Sequence, residues 1–169
     1  MSTVEAYGLG LALAGAASLV WGGRGLVLTA VVMAVEWAVA NAAVHVIGVY
    51  DPALAFGAVH GLAAWCLLRD ERASAEVVIG GVYLVLFILD GAYLAATYLH
   101  GVADTMRYLT WLAGGGWAQI AVLAAGSFAN GPGRYIATRW RRNPFAMVYG
   151  WIIALAAIAA GVAQAGPWS

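Results

Sequence analysis

The chain has 169 residues, room for one domain. Hydrophobic residues make up 64% of it and charged residues 9%, against roughly 25% charge in an ordinary soluble domain, so it lacks the polar groups to coat a water-soluble fold. Eight basic residues, all Arg, balance eight acidic ones, which removes any electrostatic case for nucleic acid, and the single Cys66 excludes an internal disulfide or a multi-Cys metal site.

A surface this apolar belongs in lipid. Lipid offers backbone groups no water, so spanning segments are helices or closed barrels. A barrel reads as segments of about ten residues with alternating polarity. The apolar runs here are longer and unbroken. The expected fold is all-α: a polytopic integral membrane helix bundle of about six transmembrane helices with short loops, one domain over residues 1–169.

A helix of about 20 residues crosses the ~30 Å hydrocarbon core. The first span is expected over 4–21, closed by Trp21-Gly22-Gly23; Glu5 is its only charge, unlike the basic start of a secretory signal, so it reads as a retained span. The second, 26–48, ends at Gly48. The third, 52–68, opens at Asp51-Pro52, a capping residue followed by a Pro pre-organised for the first helical position. The fourth, 75–99, follows Ser74 and stops before His100-Gly101. The fifth, 105–129, follows Asp104 and is broken by Asn130-Gly131-Pro132-Gly133. The sixth, 144–163, follows Asn143-Pro144. Spans one and three are short, so five spans plus a partial, re-entrant one is the alternative topology.

Arginines set the orientation. Arg24 lies between spans one and two, Arg69 and Arg72 between three and four, and Arg134, Arg139, Arg141 and Arg142 between five and six. Those loops fall on one side, and only Arg107 falls on the other. The Arg-rich side is expected to be cytoplasmic, both termini extracytoplasmic, and the membrane a bacterial inner membrane. Ile136 and Trp140, flanked by the four late arginines, read as a short interfacial helix whose guanidinium groups meet lipid phosphates.

Ionisable groups at membrane depth are costly, by roughly 2.5–3.5 kcal/mol on insertion scales. Glu36, His60, Asp90 and Gln119 nevertheless each sit near the middle of a span, on four consecutive spans. Such a layer can line a path for protons, ions or a small solute; it can also hydrogen-bond across helices and fix their packing, or mate with a partner subunit. Asn41 and His45 are possible additional lining, sharing one helical face with Trp37. His45 is nine residues from Glu36, on the opposite face and about 13 Å along the axis, so the two form no compact site. Glu36 with His60, on antiparallel neighbours, is the expected ion pair. Asp51 and Asp104 fall at helix starts, where capping explains them.

No cofactor and no metal site is expected. A haem held between His45 and His60, on adjacent helices at similar depth, is the alternative. Gly114-Gly115-Gly116 either opens a local break beside Gln119 or admits a bulky neighbour such as Trp111 or Trp117. Small residues at Gly8, Ala12 and Ala16, and at Gly150 and Ala154, allow close helix approach within the chain or to another protomer. No phosphate loop, nucleophile elbow or HExxH sequence appears, so an enzyme has little support. The reading favours a channel, pore or small transporter subunit in contact with membrane lipids. The alternatives are an accessory or structural subunit of a larger membrane complex, a viral or phage component included, and a haem-bearing electron carrier.

Overall fold

A computed structural model describes residues 3–43, 52–69, 74–100, 105–130 and 144–164. All of the secondary structure among them is helical: α1 (Thr3–Ala17), a π-helical turn (Ser18–Gly22), α2 (Gly23–Ala42), α3 (Pro52–Leu68), α4 (Ser74–His100), α5 (Thr105–Asn130) and α6 (Pro144–Gln164). Two helices begin on proline, whose fixed φ and missing N–H suit the first helical turn.

The count of about six spans needs correction. No intervening loop separates α1, the π turn and α2, so the described residues form five helical stretches rather than six. Three are long and apolar enough to cross a membrane, Glu5–Ala42, Ala75–Leu99 and Arg107–Ala129; the apolar parts of the other two, Ala53–Leu68 and Val148–Ala159, are shorter. The Gly22-Gly23 pair reads as a loop because glycines punctuate helices. Here the helical hydrogen bonding instead widens into a π turn, beside a Ser18 hydroxyl that donates to the Gly15 carbonyl at 2.7 Å.

The first stretch is not straight. Along a regular helix Gly8 and Trp37 would stand about 43 Å apart. A Cβ on Gly8 would instead lie 3.1 Å from Trp37 Cζ2, and one on Gly15 3.9 Å from Ala30 Cβ. The chain reverses at Gly23, whose φ of 71° and ψ of 176° suit a residue without a side chain, and α2 runs back along α1.

α4 is the central element, packed against α2, α3, α5 and α6. Its buried face carries Ile79, Val82, Tyr83, Leu86 and Asp90. Small residues set the close approaches: Gly61 lies under Phe87, Gly80 under Leu67 and Leu68, and Gly81 under Trp151. Polarity is arranged inside out. Leu13, Leu19, Leu62, Ile88, Leu99 and Leu155 face outward, while Glu36, His60, Glu76, Asp90, Gln119 and Ser127 are buried. That distribution, with helices of spanning length, is that of an integral membrane protein.

Candidate functional site

Three helices bring three ionisable side chains together at the bundle centre. α2 supplies Glu36, α3 His60 and α4 Asp90, with side chains 8%, 5% and 0% exposed. His60 stands between the carboxylates: Nδ1 lies 2.7 Å from Asp90 Oδ2, and Nε2 lies 3.5 Å from Glu36 Oε1. The expected approach of His60 to Glu36 is therefore present, but the tighter contact is to Asp90.

The surroundings fix this geometry. A Cβ on Gly57 would lie 3.3 Å from Asp90 Cβ, so the bare backbone there lets α4 bring Asp90 up to a ring one turn further along α3. Phe56 stacks on the imidazole, with centroids 5.8 Å apart and planes at 18°, and Tyr83 packs on it at 5.8 Å and 43°. The Tyr108 hydroxyl of α5 donates to Asp90 Oδ1 at 2.7 Å. Each Asp90 oxygen thus has a partner, whereas Glu36 has the longer and weaker contact.

A trail leads from Asp90 toward one end of the bundle. Tyr108 stacks on Tyr93, with centroids 4.2 Å apart and planes at 22°. The Tyr93 hydroxyl in turn lies 2.9 Å from the exposed Thr105 hydroxyl. On the other side, the buried Tyr83 hydroxyl stands beside Glu36, without a hydrogen bond of full geometry among the described residues. Chemically, a carboxylate–imidazole–carboxylate row has the groups that proton exchange needs. The imidazole can accept on one nitrogen and release from the other, with each carboxylate as source or sink.

The remaining residues singled out in the sequence divide. Gln119 is buried, as a midplane lining residue would be, but its amide nitrogen has no hydrogen-bond partner among the described residues. Asn41 is not drawn into the cluster; its amide donates to its own helix at the Trp37 carbonyl, 2.7 Å away. His45, Arg134, Arg139, Arg141 and Arg142 lie outside the described residues, as do Asp51 and Asp104. Both ring nitrogens of His60 face carboxylates. Among the described residues, no group of three or more His, Cys, Asp and Glu is arranged to hold a metal ion. The three glycines open no break: α5 is continuous, and Gly115 and Gly116 receive Leu86 and Tyr7 rather than Trp111 or Trp117.

Tyr83, Tyr108, Gly57 and Glu76 were not singled out by the sequence reading. One signal was available: Glu76, Tyr83 and Asp90 recur every seven residues, which puts them on one face of α4, and all three are buried. Comparison with family models, with curated proteins and with solved structures finds no match.

Proposed function

We propose that this chain passes protons across its bilayer, alone or as a subunit, through the Glu36–His60–Asp90 row. The supporting observation is the row itself: three ionisable groups from three helices, in mutual contact, within a bundle whose outer face is apolar. Desolvating three such groups costs more than packing requires, since apolar side chains of similar volume are often neutral or stabilising replacements. Electroneutrality adds to the case. With the imidazole cationic, one of the two carboxylates must hold a proton for the row to be neutral, so the row both stores a proton and can hand one on.

The proposal includes a topology. The stretch from Thr3 to Gly22 and α2 each reach about 30 Å at 1.5 Å per residue, enough for one crossing apiece. Folded back at Gly23, they give six crossings with α3 to α6. The arginine bias puts both termini outside a bacterial inner membrane. A second reading, a subunit of a larger membrane complex, draws on the outward groove lined by Gly8, Ala12, Gly15 and Ala16, small residues of the kind that admit a partner helix. Co-purification of a stoichiometric partner in mild detergent would favour it.

Ion selectivity tests the primary reading. The purified chain in a planar bilayer, under opposed gradients of pH and of potassium chloride, is expected to pass a current whose reversal potential follows the pH gradient. A reversal potential that follows potassium or chloride would reject proton selectivity, and no current above the bare bilayer would reject the reading altogether.

A further inference from the structure

Glu36 is the open end of the row. Asp90 is closed by His60 and Tyr108 at 2.7 Å each, whereas Glu36 has the His60 ring at the longer distance of 3.5 Å and the Tyr83 hydroxyl beside it. Two buried donors stand at its level without a hydrogen-bond partner among the described residues, the Tyr83 hydroxyl and the Gln119 amide nitrogen. Their helices face each other in an antiparallel register, with Leu86 of α4 against Gly115 of α5 and Ala75 against Gly126. That register sets Gln119 across from Val82 and Tyr83. Both side chains are almost wholly enclosed, Tyr83 at 0% and Gln119 at 1% exposed. Tyr83 lies beside Glu36.

Two donors and one carboxylate, carried at this level by α4, α5 and α2, suit an acceptor and donor of minimal size. Buried polar groups left unpaired in this way are commonly satisfied by an enclosed water, which makes about three hydrogen bonds. We propose that Glu36, Tyr83 and Gln119 hold a buried water, which accepts from Gln119 and Tyr83 and donates to Glu36. The inference rests on the proton-path reading only in its consequence: this water is the next carrier beyond Glu36, on the side of the row opposite Tyr108.

Infrared spectroscopy of the full chain in lipid nanodiscs tests it, comparing samples equilibrated in ordinary water and in water labelled with oxygen-18. A wild-type band in the water stretching region that moves with the label and survives removal of bulk water is expected. It should be lost in Gln119→Met, which keeps the length but not the donor, and in Tyr83→Phe. Asn41→Leu, on a residue whose amide donates to its own helix at the Trp37 carbonyl, should retain it. Absence of the band from wild type overturns the proposal without recourse to any variant, and so does its persistence in either substituted protein that retains wild-type helicity and elution. The spectrum reads the water whether or not protons move, so failure of the transport reading and failure of this one are separate results. If both hold, Gln119→Met also loses proton flux.

Discussion

Asp90 shows how tightly the site is specified at the scale of single atoms. Its oxygens are divided between a ring nitrogen and a phenol, both at 2.7 Å, inside a bundle that offers no solvent to replace either. Removing one partner strands the other half of the carboxylate. Tyr108→Phe is therefore expected to lower stability by about 1.5–3 kcal/mol, the worth of a hydrogen bond to a charged group, in detergent unfolding followed by circular dichroism. A loss near zero would show that the hydroxyl is not engaged. The midplane residues Glu36, His60, Asp90 and Gln119 were legible because charge and amide groups stand out in an apolar run. Tyr83 and Tyr108 were not, because tyrosine is ordinary in membrane helices, and only the register between α4 and α5 reveals where their hydroxyls point.

Helix pairs are set by glycines whose meaning depends on the neighbour. A Cβ on Gly81 would stand 2.6 Å from Trp151 Cζ2, which wedges α4 from α6. Gly81→Ala should cost about 1–3 kcal/mol, as overpacking does, and Trp151→Leu in the same chain should recover most of that loss, a coupling that a thermal-melt double-mutant cycle measures. Additive losses would mean that the contact does not limit the approach. At Gly25 a Cβ would overlap the buried Glu76 carboxylate, so Gly25→Ala must displace Glu76 from the start of α2. It should lower the melting temperature more than Gly91→Ala, where a Cβ meets nothing. Apolar run length, with the capping and proline signals at the starts, gave the positions of the helices α3 to α6 closely. The Gly22-Gly23 pair also marked where the chain turns between α1 and α2, but not its form, since such a pair is compatible with a loop or with a π turn that reverses on one positive φ.

At the scale of the whole molecule, 9% charge pointed to the membrane class and the long unbroken apolar runs to helices rather than a barrel. The number of crossings was less legible, because the arginine pattern constrains parity and sides without showing where a helix reverses. In a Cys66→Ser background, Ser2→Cys and Ser169→Cys are expected to react with a membrane-impermeant maleimide on intact cells, and Arg24→Cys only after permeabilisation. Opposite labelling of the two termini would mean an odd number of crossings and end the six-crossing topology.

Proton uptake into sealed liposomes under an imposed membrane potential tests most directly the proposed movement of protons through the Glu36–His60–Asp90 row. Wild-type protein is expected to acidify or alkalinise the lumen as the potential dictates, and Glu36→Gln and Asp90→Asn, folded and inserted in equal amount, are expected not to. Wild-type uptake that both substitutions leave unchanged, or uptake no greater than in protein-free liposomes, would contradict it.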